Sequence, residues 1–215
     1  MKNIYIVRHG ESRTNSLGVL EGAESPLTGK GIRQAKIVAK RIAKLPNIQV
    51  VISSNMLRAR QTASEIARFC DLPIVELAGI HESMKPSIFY GLNTRSEQYR
   101  EMNDRFLLGK LSRKQAAGGE TLRDLAKRAD RFLSFVKKTP YENIVVVSHG
   151  HFLRVVIFKI LFGEDSTAKN FYRFLHATAT SNTGITHITF DNADTYCNVS
   201  KGWRLQTWND RAHLG

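Results

Sequence analysis

Ile4-Tyr5-Ile6-Val7-Arg8-His9-Gly10-Glu11-Ser12 and Ile144-Val145-Val146-Val147-Ser148-His149-Gly150-His151 are built alike, each an apolar run that stops at a histidine followed by glycine. Both runs read as buried strands. The second is apolar on both faces, as a central strand covered on both sides must be. In an open parallel sheet the C-terminal ends of the strands line up along one edge, and ligand crevices form there. Two strands ending this way bring His9 and His149 together with Arg8 alongside. Imidazoles beside a guanidinium suit an oxyanion such as phosphate.

Outward from these two runs, apolar stretches alternate with helical patterns, as expected of βα units around a parallel sheet. A Gly-rich polar loop over residues 8–27 leads to Thr28, which caps a helix running to about Leu45. Its apolar side is Ile32, Ala35, Val38, Ala39 and Ile42. Lys30, Arg33, Lys36, Lys40, Arg41 and Lys44 give it a solvated basic face. Val50-Val51-Ile52 is a second strand, followed by a helix from about Leu57 to Phe69 that buries Ala59, Ala63, Ile66 and Ala67. Pro73-Ile74-Val75 reads as a short edge strand.

Glycines and Pro86 punctuate residues 79–120, around a helical stretch near Glu97 to Leu108; this segment reads as an insertion covering the site. Thr121 caps a helix in which Leu122, Leu125, Ala129, Phe132 and Val136 recur at three- and four-residue steps. A helix from about Phe152 to Phe162 and strands over residues 184–190 and 203–208 complete the pattern. The expectation is one three-layer α/β/α domain over residues 1–215 with a mostly parallel central sheet.

Composition bounds the rest. The 215 residues are 42% hydrophobic, enough for a sizeable core. No stretch approaches the roughly 18 apolar residues of a membrane span. Met1-Lys2-Asn3 leads straight into a strand, and Cys70 and Cys197 are too few for a disulfide framework or a zinc site, so a cytoplasmic setting is expected. The net charge of +13, from 32 Lys+Arg against 19 Asp+Glu, fits an anionic small substrate or a polyanion. The basic helix lacks the interleaved aromatics of a nucleic-acid surface, so no nucleic acid is expected as partner.

The chemistry follows from the strand ends. Arg8 stays protonated and offers a planar fork of donors to phosphate oxygens. Ser12 and Asn15 add neutral donors, and Gly10 lets the backbone approach a ligand. Arg58 lies in the first turn of its helix and points back over the same edge, whereas Arg60 faces solvent. Arg8, Arg58 and His149 then neutralise a phosphoryl group that His9 attacks, with the cations depressing the His9 pKa. Each charge-assisted hydrogen bond is worth about 1.5–3 kcal/mol. Glu82, following the third strand, reaches the same edge; incoming phosphate raises its pKa, which fits a general acid. His151 belongs at the pocket rim, and His176, His187 and His213 fall outside any motif. A Ser12 or Ser148 nucleophile lacks a Gly-x-Ser-x-Gly elbow. The histidines lack metal-ligand spacing, so no metal or cofactor is expected.

Arg8-His9-Gly10-Glu11-Ser12, Pro26-Leu27-Thr28 with Gly31, Arg58-Ala59 with Gln61-Thr62-Ala63, Gly119-Glu120-Thr121 and Ser148-His149-Gly150 together resemble the histidine phosphatase superfamily, with its phosphoglycerate mutase-like fold. The resemblance spans most of the chain, and the ordered set is far more specific than any one motif. It implies a phosphohistidine at His9, Glu82 as proton donor, and Arg8, Arg58 and His149 as phosphate ligands without metal. It also implies Asn15 as a substrate contact; Ser12 and Gly150 complete the candidate substrate set. Glycolytic mutases follow their acid with an Arg-His-Tyr-Gly stretch, where this chain has Ser83-Met84-Lys85-Pro86-Ser87. That segment, Ser-His-Gly-His with Phe152-Leu153-Arg154, and the tail Trp208 to Leu214 are more similar to broad-specificity and α-ribazole phosphatases. His81 before the acid departs from the usual pattern. The reading is a phosphomonoesterase acting on a small phosphorylated substrate as a monomer or homodimer. A phosphoglycerate mutase and a basic polyanion-binding protein are the alternatives.

Overall fold

The computed structural model describes residues 1–20, 22–163, 167–191 and 202–215; Cys197 lies outside them. Six strands form one sheet in the order β3-β2-β4-β1-β5-β6: β1 (Lys2–Arg8), β2 (Val50–Ser53), β3 (Ile74–Glu76), β4 (Asn143–Ser148), β5 (Ile185–Asp191) and β6 (Gly202–Asp210). β3, β2, β4 and β1 run parallel, while β5 pairs antiparallel with both β1 and β6. This is the α/β, mostly parallel architecture expected of a phosphoglycerate mutase-like fold.

The period of two along each strand sorts the core into two layers. Ile4, Ile6, Val50, Ile52, Ile144 and Val146 face α6 (Leu122–Lys138), α7 (Gly150–Phe162) and α8 (Ala168–Ala177). Tyr5, Val7, Val51, Val145 and Val147 face α2 (Gly29–Ile42) and α3 (Leu57–Cys70) on the other side. Full burial of each such side chain stabilises by about 1.5–3 kcal/mol. None of the helices in the described residues is long and apolar enough to cross a membrane.

Several boundaries differ from the sequence expectation, each for a local reason. α2 stops at Ile42 rather than Leu45, because Pro46 disfavours helical geometry at the residue before it. Its buried side takes Gly31, Ala35, Val38, Ala39 and Ile42, leaving Ile32 at 39% exposure. The helix is rotated so that Gly31 lies on the Glu11 backbone, where a Cβ would strike the Glu11 carbonyl oxygen. α7 begins at Gly150 rather than Phe152, with His149 itself the extended N-cap residue, so β4 turns into the helix without a loop. α1 (Arg13–Leu17) and α5 (Arg113–Ala116) sit in stretches read as irregular, each started by a capping box. The expected helix near Glu97 is α4 (Glu97–Leu107).

Candidate active site

Register places the chemistry. Arg8 pairs with Ser148 across β1 and β4, and Ser53 pairs with Val147 across β2 and β4, so three parallel strands end level. The His9 N–H donates to the Ser148 carbonyl at 3.0 Å and the Ser54 N–H to the Val147 carbonyl at 3.0 Å. The histidine rings carried past these ends lie 5.0 Å apart between centroids. A cavity of about 310 Å³ opens over this edge, and its walls include Arg8, His9, Asn15, Arg58, Glu82 and Lys85.

His9 is buried, and its Nδ1 lies 2.7 Å from the Gly10 carbonyl oxygen. A carbonyl only accepts, so Nδ1 carries the hydrogen and Nε2 keeps its lone pair. Arg58 Nε donates to that Nε2 at 3.3 Å. Burial holds the His9 pKa well below the ordinary range, with Arg8 and Arg58 acting in the same direction. Burial is therefore the larger cause and the neighbouring cations the smaller, the reverse of the emphasis in the sequence reading.

Arg58 is itself buried in the first turn of α3, with Nη1 on the Gly22 carbonyl at 3.4 Å and Nη2 on Met56 Sδ at 3.1 Å. Arg8 anchors Nη1 on the Thr180 carbonyl at 2.6 Å. Room for Arg8 comes from Gly150, where a Cβ would lie 3.2 Å from Arg8 Nε and 2.8 Å from Thr180 Oγ1. Gly150 is absent from the cavity wall, so it makes space for Arg8 rather than touching a ligand. Arg60 lies at the surface, paired with Glu24 at 3.7 Å, as expected.

His149 is fully buried, with Nε2 2.9 Å from Ser54 Oγ. Ser54 Oγ already accepts from the Met56 N–H at 3.3 Å. A hydroxyl keeps a second acceptor lone pair and its own proton, so the contact suits either tautomer of His149, while Nδ1 has no hydrogen-bond partner. Like Gly150, His149 is absent from the cavity wall, and its ring packs against that of His9. Burial, then His9 and Arg58, keeps the His149 pKa well below its ordinary value.

Glu82 reaches the edge as expected, but its electrostatics differ. Its carboxylate accepts from the N–H groups of His151 at 3.3 Å and Phe152 at 3.2 Å, the first turn of α7, and of Ser83 at 2.9 Å. Burial pushes the Glu82 carboxyl up, but the adjoining His151 ring, these N–H donors and Arg58 together outweigh it and lower the pKa. The carboxyl is thus ionised at neutral pH. The loop bearing it hangs from Arg128, whose guanidinium donates to the Gly79 and His81 carbonyls at 2.9 Å each and to both Glu120 carboxylate oxygens at 2.8 Å. Glu120 Oε2 also accepts from the Met84 N–H at 2.9 Å.

The remaining candidates separate. Asn15 lines the cavity, its Oδ1 taken by Ser12 and by Asn182 Nδ2 at 3.1 Å, which leaves its amide hydrogens for a ligand. Ser12 is fully buried with its hydroxyl capping α1, so it organises Asn15 instead of donating to substrate. His151 is not a rim residue: both ring nitrogens are buried without partners, its pKa falls to about 3 through burial, and its ring stacks edge-on against Phe171. Thr180, Asn182 and Arg128 escaped the sequence reading, since nothing in spacing links them to a strand end. A larger cleft of about 370 Å³ lies elsewhere, walled mainly by apolar groups such as Phe106, Leu111, Leu122 and Phe171; Arg113 and Arg123 also line it, but no histidine does. Among the described residues no group of three His, Cys, Asp or Glu side chains is placed to hold a metal ion.

Known proteins resemble the chain along its whole length. The family model of the histidine phosphatase superfamily (branch 1) matches residues 4–211. A metal-independent phosphoserine phosphatase from Arabidopsis thaliana is 29% identical over 216 residues, covering 98% of this chain and 82% of that protein. A probable phosphoglycerate mutase GpmB from Proteus mirabilis is 30% identical over 220 residues, covering 100% and 95%. Among solved structures, a phosphoserine phosphatase from Entamoeba histolytica in complex with 3-phosphoglyceric acid superposes with a TM-score of 0.76 at 27% identity, both chains covered in full.

Proposed function

Because the chain belongs to the histidine phosphatase superfamily, we propose that it hydrolyses small phosphomonoesters through a phosphohistidine on His9. The observation that carries this reading is the pairing of an unprotonated, buried His9 Nε2 with Arg58 Nε at 3.3 Å. It presents a nucleophile and an anion-binding cation at one point of the cavity.

In the proposed reaction the phosphoryl oxygens lie among Arg8, Arg58 and His149. His9 Nε2 forms a bond to phosphorus as the ester P–O bond breaks. The dianion's negative charge raises the Glu82 pKa from its low resting value, so the carboxyl takes a proton and delivers it to the departing alkoxide. Glu82, again a carboxylate, then removes a proton from water, which attacks phosphorus and releases His9 and inorganic phosphate. Cations fixed before the substrate arrives stabilise charge on the equatorial oxygens without reorganisation cost.

The similarity to a probable phosphoglycerate mutase supports a second reading, in which a substrate hydroxyl rather than water accepts the phosphoryl group. One experiment tests both. Phosphate release is measured from a panel that includes phosphoserine and 3-phosphoglycerate, with chelator present, beside a phosphoglycerate isomerisation assay. Release that resists chelation and drops at least about 10³-fold in His9→Ala supports hydrolysis through His9. Isomerisation without release favours the mutase, and turnover retained by a folded His9→Ala protein refutes the phosphohistidine.

A further inference from the structure

The apolar cleft of about 370 Å³ has no part in the steps above, yet it shares walls with the groups that hold the Glu82 loop. It lies between the C-terminal end of α4, α5, and the first turns of α6 and α8. Leu125 and Phe171 are buried at its floor, while Leu108, Leu111 and Leu122 along it are only half-buried. Concave apolar surface of this size is where small molecules bury their own apolar parts.

Its charged groups narrow the ligand. They are Glu120, Arg113 and Arg123. Both Glu120 carboxylate oxygens are committed to Arg128 at 2.8 Å, and one also accepts from the Met84 N–H. Arg113 and Arg123 are exposed, and neither makes an ion pair among the described residues. The adjoining acid, Asp124, is folded back onto the Thr121 hydroxyl and N–H at 2.7 and 3.1 Å; those bonds hold it charged, with Arg123 the least of the causes. An apolar trough with two uncommitted guanidiniums suits a single-chain amphiphile with an anionic head, since arginine pairs a carboxylate through two parallel hydrogen bonds. A benzene-sized guest fills about 150 Å³, so this cleft takes a chain of about ten carbons. A buried floor admits one such chain rather than the face of a bilayer.

We propose that the cleft is a second ligand site, which takes the free carboxylate of an unbranched chain of about ten carbons and acts on turnover through the Glu82 loop. The route is short. Glu120 holds Met84 and Arg128, and Arg128 holds the Gly79 and His81 carbonyls on the other side of Glu82. Phe106, also in the cleft wall, lies 5.3 Å from Lys85 Nζ of the phosphoryl cavity and packs on Gly119, where a Cβ would stand 2.8 Å from its Cζ. A chain lying along Glu120 and Phe106 keeps water from the ion pair and steadies the loop, so turnover rises. The binding claim stands apart from the phosphatase reading; the turnover claim rests on it.

The test is calorimetry of the full chain with decanoate below its micellar concentration, beside decanol and decyltrimethylammonium. One decanoate should bind per chain, at least about 10-fold tighter than decanol. Each methylene from hexanoate to decanoate should tighten binding by about two- to fourfold. Arg113→Gln/Arg123→Gln should erase the preference over decanol, with melting temperature and basal phosphate release as in wild type. Leu111→Ser should weaken decanoate and decanol alike. At the midpoint of binding, kcat should rise towards a plateau at least about twofold above the basal value, with KM unchanged. Absence of saturable binding, equal binding of the three head groups, or binding indifferent to these variants overturns the site. A raised KM at constant kcat puts decanoate in the phosphoryl cavity, co-sedimentation with anionic vesicles in place of monomer binding puts a bilayer on the surface, and dissociation of a dimer on binding gives the cleft to a second copy; each overturns the proposal. Binding without any change in kcat overturns the turnover claim. If the chain releases phosphate from no ester, the phosphatase reading fails and the turnover claim with it, while the heat of binding still decides the site.

Discussion

Replacing Arg128 with methionine should damage both stability and turnover, and by different routes. Arg128 and Glu120 are each about nine-tenths buried, at 9% and 10% side-chain exposure, and joined by two 2.8 Å hydrogen bonds. Removing one member of such a pair leaves the other charge buried with poor compensation, at a cost of about 3–5 kcal/mol. Glu120 would keep only the Met84 N–H. At about 2–4 °C per kcal/mol for a chain of this size, the melting temperature should fall by roughly 6–20 °C. The aliphatic part of methionine can still cover the Phe152 ring, over which the guanidinium sits at 4.6 Å, so lost packing is the smaller loss. Turnover should fall because the Gly79 and His81 carbonyls lose their anchor and Glu82 between that anchor and α7 drifts. A displacement of about 1 Å at a catalytic group costs on the order of 10²-fold. The assay is thermal unfolding beside kcat and KM, with Glu120→Gln and the double variant completing a cycle. The double variant should recover at least about 1 kcal/mol relative to additivity, since no orphan charge remains. An Arg128→Met protein melting within about 2 °C of wild type with unchanged kcat would refute the reasoning.

Two further outcomes follow from other features. His9 and His149 are held well below their ordinary pKa, and His151 at about 3, so the unfolded chain binds protons that the folded rings refuse. Their contribution is whole above pH about 6.5 and is lost as pH falls from there towards 3, by up to roughly 1.4 kcal/mol per pH unit for each ring; urea melts at pH 7.5 and 5 should differ by several kcal/mol, and equal midpoints would contradict the assigned neutral rings. Gly31→Ala drives a methyl group into the Glu11 carbonyl. It should destabilise by about 1–3 kcal/mol and lower kcat by shifting the chain just past His9, whereas a neutral effect on both would mean that α2 does not brace that turn.

The parts of the molecule that could be read from sequence are those whose cause is local. β1 and β4 show as apolar runs because burial on both faces leaves no other option, and the groups at their ends are adjacent in sequence to the elements that place them. Thr28 and Thr121 cap α2 and α6 through their own next turn. By contrast, α1 and α5 span five and four residues, too short to show periodicity, and only their capping boxes betray them. Asn182 reaches the His9 carbonyl and Arg128 reaches the Glu82 loop across long separations. No spacing rule connects such residues. The low resting pKa of Glu82 was hidden for the same reason: the helix start that holds it, at Gly150, follows its own sequence by more than sixty residues.

The hydrogen bond from His9 Nδ1 to the carbonyl of the next residue, Gly10, sets more than a tautomer. A carboxylate in that place would feed electron density into the imidazole and tighten any bond made at Nε2. A peptide oxygen carries no net charge, so it orients the ring while leaving it a modest donor. Once Nε2 carries a phosphoryl group in the proposed cycle, the ring is a cation pressed between arginines, and it departs readily. The same economy that makes His9 a mild nucleophile makes it a good leaving group, so the covalent intermediate stays shallow and the second half-reaction is not trapped behind the first.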